Sequence, residues 1–258
     1  MKPILIEKKD NIARLTLNNP KQRNPLSMDL MEKMNIQLDL LSKDRNIRVI
    51  IINGNGPAFC VGHDINELVG EDYDLEHFRN VFSICSNMMQ NIQKLPQPVI
   101  AQVHGVAMAA GCQLVASCDL AICDSKTKFS TPGVKIGLFC TTPMVPLSRV
   151  ISRKRALDML LTGRLITALE AEKFGLVNKV VDPDKLEIET EKWAKEIAKY
   201  SPKILEFGKK AFYHQIDLDE KSAYDFAKFA IADNCLFEDA QEGMKAFLEK
   251  RKPKWKNK

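Results

Sequence analysis

The chain has 258 residues, of which 45% are hydrophobic and 28% charged, which indicates one large globular domain and excludes disordered, collagen-like and disulfide-rich classes. Its 38 basic and 33 acidic residues leave a net charge of +5, too small by itself to indicate nucleic-acid binding. The seven cysteines cannot all pair and none stands in a C-x-x-C spacing, so we expect free thiols and a reducing compartment.

The first half of the chain alternates predicted strands and helices. Residues 4–6 and 12–17 predict a β-hairpin, and an apolar stripe behind Ser27 predicts a helix. Three later runs are apolar on both faces, as buried parallel strands are: residues 49–52, 99–103 and 120–122. A second helical stripe, between the first two of these runs, consists of Phe78, Phe82, Cys85, Met89 and Ile92. This alternation predicts an α/β domain.

The last third of the chain is predicted to be helical, with almost no strand signal after about residue 140. Thr167 and Glu170 stand in a capping-box pattern, and Gly175 marks the end of the short helix that follows. Four more helices are predicted over residues 187–200, 202–214, 221–232 and 238–250. A helical region without strands of its own must pack on the α/β core or on another subunit.

Several common catalytic motifs are absent from the sequence. Gly54 and Gly56 follow a buried strand, as in a dinucleotide-binding loop, but Phe59 stands where the third glycine belongs. No G-x-S-x-G, Walker A or H-E-x-x-H pattern is present, and the four histidines are scattered. Serine-hydrolase, P-loop and zinc-enzyme chemistry therefore has no support, and we expect no metal.

Two segments rich in small residues each follow a buried strand, at residues 59–65 and 105–113. Small side chains let the backbone approach a ligand closely, and the second segment leads into a helix start with free N–H groups. Two backbone donors that converge on one oxygen form an oxyanion hole. Tight helix–sheet packing without a ligand is the alternative explanation of the same pattern.

Four motifs together resemble the crotonase (enoyl-CoA hydratase/isomerase) superfamily, and the similarity extends over residues 4–255. They lie at residues 59–65, 109–114, 161–163 and 242–253. The resemblance implies a spiral of ββα turns, which we assign to residues 1–200, and a C-terminal helical trimerisation region at residues 201–258. It also implies an acyl-CoA thioester as ligand and a homotrimer or hexamer as assembly. Coenzyme A enters as part of the substrate, so no separate cofactor is expected.

The same resemblance assigns candidate site residues. By position, the two oxyanion-hole amides belong to His63 and Ala110. The residues that line the coenzyme A side are consecutive in the chain: His63, Asp64, Ile65 and Asn66. Lys21 and Arg23 match the entry to the coenzyme A site, where positive charge meets phosphate.

The sequence departs from the superfamily pattern at the two glutamates that activate water in its hydratases. Gln113 and Gly133 occupy those positions. An amide has no useful basicity near pH 7 and glycine has no side chain, so we do not expect efficient hydration. Gln113 lies three residues after Ala110 and is therefore predicted to face the same site. There it would orient a water molecule or a polar group of the substrate. The alternative is that its amide only forms hydrogen bonds with buried backbone groups. Thr141 and Thr142 are candidate polar wall residues.

Three functional hypotheses remain open. Together with Gln113, residues 131–143 resemble the branch called enoyl-CoA hydratase domain-containing protein 3, which makes the chain a nominal enoyl-CoA hydratase/isomerase with lyase or isomerase chemistry. The Gly-His-Asp-Ile run around His63 also resembles methylmalonyl-CoA decarboxylase, and an acyl-CoA decarboxylase needs no general base because loss of CO₂ leaves the enolate. In such a decarboxylase the His63 ring would donate a hydrogen bond to the β-carboxylate of the substrate. The alternative is that only the backbone of His63 serves the site and its ring lies in solvent or packs against other residues. The third hypothesis is a catalytically silent acyl-CoA binder.

Location and partners complete the expectations. The first residues lead into a strand pattern and not a leader pattern, and no apolar run is long enough to span a membrane, so we expect a cytoplasmic protein without membrane contact. A basic tail comprises Lys250, Arg251, Lys252 and Lys254, and it either meets phosphates or is simply solvated. With Trp255 as the one aromatic residue beside this tail, a nucleic-acid partner is not expected.

Overall fold

Nine strands in two sheets form the framework of the described chain, which comprises residues 2–69 and 73–257 of a computed structural model. The strands are β1 (Ile4–Lys9), β2 (Ile12–Leu17), β3 (Val49–Gly54), β4 (Val99–Val103), β5 (Val106–Met108), β6 (Leu120–Asp124), β7 (Lys128–Ser130), β8 (Ile166–Thr167) and β9 (Lys179–Val181). The larger sheet has the order β1-β2-β3-β4-β6-β9, and the smaller sheet has the order β5-β7-β8.

The strand directions in the larger sheet place several strand ends at one edge. β1 and β2 form the predicted antiparallel hairpin, whose register pairs Ile4 with Leu17. The turn residues Asp10 and Asn11 have φ values of 52° and 64°, a left-handed conformation that Asp and Asn tolerate. β2, β3, β4, β6 and β9 are parallel neighbours. Their carboxyl ends therefore meet at the edge where open α/β sheets bind ligands.

Eleven helices cover these sheets within the described ranges. They are α1 (Met28–Lys43), α2 (Ile65–Leu68), α3 (Leu75–Lys94), α4 (Ala110–Ser117), α5 (Thr141–Val150), α6 (Arg153–Thr162), α7 (Ala168–Phe174), α8 (Leu186–Ile197), α9 (Pro202–Gln215), α10 (Glu220–Asn234) and α11 (Glu238–Leu248). α1 begins as predicted, because Ser27 Oγ accepts a hydrogen bond from Leu30 N at 3.3 Å. The predicted capping box of α7 is present, and Gly175 ends that helix in the left-handed conformation. No helix of residues 2–69 and 73–257 combines the length and apolar character needed to cross a bilayer.

Strand structure in the last third of the chain was not expected, and that prediction is wrong. β8 and β9 both lie after residue 140, where β8 pairs with β7 and β9 with β6. They contain two and three residues, which is too short for alternating hydrophobicity to appear in the sequence. The four predicted C-terminal helices are present as α8 to α11; two of them begin at the predicted residue, and the other ends are shifted by one to three residues.

Helix α9 is attached to the core by a buried ionic cluster. Lys209 Nζ lies 2.6 Å from Asp119 Oδ2 and donates to the carbonyls of Ile92 and Gln97, each at 3.0 Å. The Tyr213 hydroxyl donates to Asp119 Oδ1 at 2.9 Å. Burial lowers the pKa of Lys209 despite the neighbouring carboxylate. The boundary at residue 200 between a spiral core and a helical region stays a prediction.

Candidate functional site

The two small-residue segments lie side by side at the carboxyl edge of the large sheet. Cys60 N donates to Val106 O at 3.2 Å, and Met108 N donates to Cys60 O at 2.9 Å. On the other side, Leu26 N donates to Gly62 O at 2.7 Å. The segment that contains residues 60–62 is therefore held between two neighbouring stretches of backbone.

Glycines bring the start of α4 against this segment. A Cβ built on Gly111 would lie 2.9 Å from the carbonyl carbon of Cys60 and closer still to its oxygen, so no side chain fits there without a shift. Gly62 has a φ of +102°, and a Cβ built on it would lie 3.4 Å from Ala110 N. Ala109 adopts φ +47° and ψ −116°, a strained conformation for a residue with a side chain, as the chain turns into α4.

Two backbone N–H groups at this junction have no acceptor in the described chain. The groups on either side of His63 N are bonded to Leu26: Gly62 O accepts from Leu26 N, and Asp64 N donates to Leu26 O at 3.3 Å. His63 N itself makes no hydrogen bond with any residue of the described chain. Ala110 N is the first amide of α4 and is likewise unpaired within residues 2–69 and 73–257. The residues that carry both amides line the same cavity.

The cavity has a volume of about 370 Å³ and a mainly apolar wall. Its lining consists of Val61, His63, Ile65, Leu68, Phe82, Ala109, Ala110, Pro132, Gly133, Lys135, Ile136, Leu138, Phe139, Cys140, Thr141, Thr142 and Pro143. The volume lies in the usual range for small-molecule sites. An apolar chain with one polar group near the two amides would fit such a wall.

The ring of His63 is packed and neutral. It meets Phe82 edge-on, with ring centroids 5.1 Å apart. Its Nε2 is buried without a hydrogen-bond partner in the described chain. Burial lowers the pKa of His63 to about 4, because desolvation disfavours the charged imidazolium. At neutral pH the ring therefore carries no positive charge.

The structure brings together six of the candidate site residues and leaves five away from the cavity wall. The six that line the cavity are His63, Ile65, Ala110, Gly133, Thr141 and Thr142. The five that do not line it are Lys21, Arg23, Asp64, Asn66 and Gln113. Asp64 and Asn66 bond to each other, since Asp64 Oδ1 accepts from Asn66 N at 3.0 Å and from Asn66 Nδ2 at 2.9 Å at the start of α2.

Gln113 is buried on α4 and is not among the residues that line the cavity. Its side chain is 3% exposed, and its Oε1 has no partner among the described residues. All eight residues of α4 are buried, so protein covers the face on which Gln113 lies. The expectation that Gln113 faces the site, and its role there, stay predictions.

Gly133 sits where a side chain has no room. A Cβ built on it would lie 2.7 Å from Leu138 O and 2.8 Å from Cys140 Sγ. The space that a carboxylate would need is therefore occupied by the chain between Gly133 and α5. No Asp or Glu is among the described residues that line the cavity.

Lys21 lies in the 3-10 turn Pro20–Gln22 that follows β2, and Arg23 is the residue that ends this turn; both side chains are exposed. The buried Asn24, which the sequence analysis missed, fixes this turn to the site. Its Nδ2 donates to Asn55 O at 2.9 Å, to Ala58 O at 2.8 Å and to Phe59 O at 3.2 Å. Asn24 therefore links the turn to the chain that enters residues 59–65, although its type and spacing gave no signal.

Lys135 is a second residue of the site that sequence reasoning missed. It belongs to the 3-10 turn Pro132–Ile136, whose other residues the sequence analysis considered only through Gly133. Phe82, expected as a core residue of α3, is half-buried and contacts His63. Within the described ranges, no three His, Cys, Asp or Glu side chains are grouped so that they could hold a metal ion.

The comparisons with known proteins agree on one family. The sequence profile of the family described as Enoyl-CoA hydratase/isomerase matches residues 7–258. The human protein "Enoyl-CoA hydratase domain-containing protein 3, mitochondrial" is 46% identical over 259 residues, which cover 98% of this chain and 84% of the human one. Its mouse counterpart is 45% identical over 249 residues, which cover 95% of this chain and 82% of the mouse one.

Solved structures give the same result. The crystal structure of the human enoyl-CoA hydratase domain-containing protein 3 superposes with a TM-score of 0.95 at 44% identity, covering 98% of this chain and 100% of the human one. An enoyl-CoA hydratase of Mycobacterium smegmatis also has a TM-score of 0.95, at 41% identity and with 98% of each chain covered.

The prediction of a cytoplasmic protein is wrong. The human and mouse relatives are both named mitochondrial, which contradicts it. The prediction relied on free thiols and on the absence of a leader pattern. Free thiols indicate a reducing compartment but do not distinguish one such compartment from another.

The predicted fold is confirmed by these matches, as is the resemblance on which it was based. The profile match covers nearly the whole chain, and relatives above 40% identity match it from end to end. This protein belongs to the enoyl-CoA hydratase/isomerase family, the crotonase superfamily.

Proposed function

We propose that this protein binds an acyl-CoA thioester and polarises its carbonyl with the amides of His63 and Ala110. One observation carries the proposal: two N–H groups without an acceptor in the described chain belong to residues that line one apolar cavity. Donors fixed in advance by the fold stabilise developing negative charge at little reorganisation cost, and each is worth about 3 kcal/mol.

The proposed chemistry is carbonyl activation without a carboxylate base. The part of the cavity wall that the structure describes contains no Asp or Glu, Gly133 leaves no room for one, and the buried Gln113 carries an amide instead of a carboxylate. Each general acid or base that is absent typically removes a factor of about 10² to 10⁴ in rate. The nominal hydration or isomerisation of an enoyl-CoA should therefore be slow, unless the substrate itself supplies the proton-transfer group.

Lys21 and Arg23 are the candidates for the phosphates of coenzyme A. Both are exposed and lie at the carboxyl edge of the large sheet, on the turn that Asn24 links to residues 58–59. Neither forms a salt bridge within residues 2–69 and 73–257, so both are available to an anion. Lysine needs little geometric precision to bind phosphate.

A homotrimer or hexamer is proposed as the working assembly. α10 has no buried residue in the described chain, yet three of its large apolar side chains are well exposed: Tyr224 at 70%, Phe229 at 66% and Ile231 at 60%. An apolar surface of this kind is typical of a subunit interface. Sedimentation equilibrium tests the assembly, which a Phe229→Glu variant should weaken.

The experiment that tests the function combines binding and turnover. Butyryl-CoA binding is measured by calorimetry, and crotonyl-CoA turnover is followed as loss of the enoyl-thioester absorbance. We expect binding with turnover far below that of a hydratase with both glutamates. Rapid hydration would contradict the proposal, because it would require a base that is not among the described residues of the cavity wall.

Two alternatives are separated by the same panel. Binding without turnover of any enoyl-CoA or β-carboxyacyl-CoA would identify a catalytically silent acyl-CoA binder. Turnover of a β-carboxyacyl-CoA alone would identify a decarboxylase. A neutral His63 ring would attract the β-carboxylate of a decarboxylase substrate less strongly than a charged imidazolium would.

A further inference from the structure

The described wall of the proposed acyl cavity carries positive charge without negative charge. Among the 17 described residues that line the cavity, Lys135 is the one cationic side chain, since His63 is neutral. None of the lining residues within residues 2–69 and 73–257 is acidic. A saturated hydrocarbon chain would gain nothing from a cation in its wall, whereas an anionic group on that chain would.

Lys135 is available to such an anion. Its side chain is exposed, and its ammonium forms no ion pair or hydrogen bond with any residue of the described ranges. The side-chain stem lies against Gly163, where an added Cβ would come within 3.2 Å of Lys135 Cε. Gly163 has a φ of +56°, so glycine suits this position both by space and by conformation.

Two hydroxyl groups belong to residues that line the same cavity. Thr141 and Thr142 open α5 and line the cavity together with Lys135. Neither hydroxyl bonds to another described residue, and α5 has no side-chain cap. Hydroxyl donors beside an ammonium can share a carboxylate, which accepts about four hydrogen bonds.

We propose that the cavity takes acyl-CoA thioesters whose acyl chain ends in a second, free carboxylate, and that Lys135 is the residue that selects them. This inference rests on the acyl-CoA function proposed above. The carboxylate would lie at the exposed side of the cavity near Lys135. It would not lie beside the packed His63, because a carboxylate desolvated next to a neutral ring is costly.

Matched ligand pairs test the proposal by calorimetry. Glutaryl-CoA and valeryl-CoA have acyl chains of equal carbon number and differ at the terminal group, carboxylate or methyl. The variants are Lys135→Met, which removes the charge, and Lys135→Arg, which keeps it. Lys173→Met is the matched control, because Lys173 is exposed on α7, forms no salt bridge in the described chain and does not line the cavity.

We expect the protein to bind glutaryl-CoA about fivefold more tightly than valeryl-CoA at low salt, as an exposed ion pair allows. Lys135→Met should abolish this preference, whereas Lys135→Arg and Lys173→Met should retain it. Equal affinity of the unmodified protein for both ligands would overturn the proposal.

Two other results would also overturn it, for different reasons. If Lys135→Met weakens both thioesters and free coenzyme A by the same factor, Lys135 meets a coenzyme A phosphate and does not select the acyl chain. If neither thioester binds the unmodified protein, the proposed function itself fails. Normal valeryl-CoA binding without a carboxylate preference refutes the Lys135 inference alone.

Discussion

The close approach of α4 to the segment at residues 60–62 can be tested with one methyl group. Gly111→Ala would place a Cβ 2.9 Å from the carbonyl carbon of Cys60 and 3.0 Å from its Cβ, with the carbonyl oxygen closer still. Ordinary van der Waals contacts of a Cβ begin at 3.4 Å, and these neighbours are backbone or buried atoms. The start of α4 must therefore move away from Cys60.

A second glycine provides the matched control. Gly208 lies inside α9, and a Cβ built on it has nothing within 4 Å. In an open helical position alanine is more favourable than glycine by about 0.5 to 1 kcal/mol. Gly208→Ala should therefore stabilise the protein, and the same propensity gain applies in α4. At Gly111 overpacking costs about 1 to 3 kcal/mol and should exceed that gain.

The assays are thermal unfolding and acyl-CoA binding. We expect Gly111→Ala to lower Tm by a few degrees, about 2 to 4 °C per kcal/mol for a chain of this size. Gly208→Ala should raise Tm slightly. Because Ala110 N moves with the helix start, Gly111→Ala should also weaken butyryl-CoA, while Gly208→Ala should not. A Gly111→Ala protein as stable as Gly208→Ala, with unchanged affinity, would refute the close approach.

Three further predictions concern the surroundings of the site. Asn24→Ala should lower the free energy of unfolding, measured with urea, by about 2 kcal/mol because it leaves buried carbonyls without a donor. Asn66→Ala, at an exposed position, should leave this free energy nearly unchanged. His63 has a pKa of about 4 in the fold and 6.5 as its ordinary value, so the unfolded chain alone binds the proton between these values. The free energy of unfolding should therefore fall by up to about 3 kcal/mol as pH drops from 6.5 to 4, and His63→Leu should remove this pH dependence. If the variant keeps the same pH dependence, a group other than His63 causes it. Lys209→Met breaks a buried ion pair, so it should lower the free energy of unfolding by about 3 kcal/mol and expose α9 to proteolysis. Lys210→Met, at the neighbouring exposed position, should have little effect on either. Equal losses of stability in both variants would show that the cluster does not hold α9.

The parts of the fold that the sequence predicts are those with a long local pattern. β3 and β4 are apolar on both faces, and α1 combines a cap with a four-position stripe, so each is recognisable without its neighbours. β8 and β9 depend on pairing with distant strands and contain too few residues for a pattern. Their position could not be read from local sequence.

The site divides in a similar way. Gly62 and Gly111 mark the close backbone approach, and the sequence predicts it because glycine is needed there for a physical reason. The neutral state of His63 depends on Phe82 from α3, and the link formed by Asn24 depends on carbonyls more than 30 residues away. For Gln113, helical spacing gives the face of α4 on which it lies but not what covers that face, so its role stays a prediction.

The measurement that tests the central claim most directly is the carbonyl stretching frequency of bound butyryl-CoA labelled with ¹³C at the thioester carbon. If the amides of His63 and Ala110 donate to this oxygen, the frequency should be lower in the complex than in water, and Gly111→Ala should reverse part of that decrease. A bound frequency equal to or above the value in water would contradict the account, because the carbonyl would then lie away from both donors.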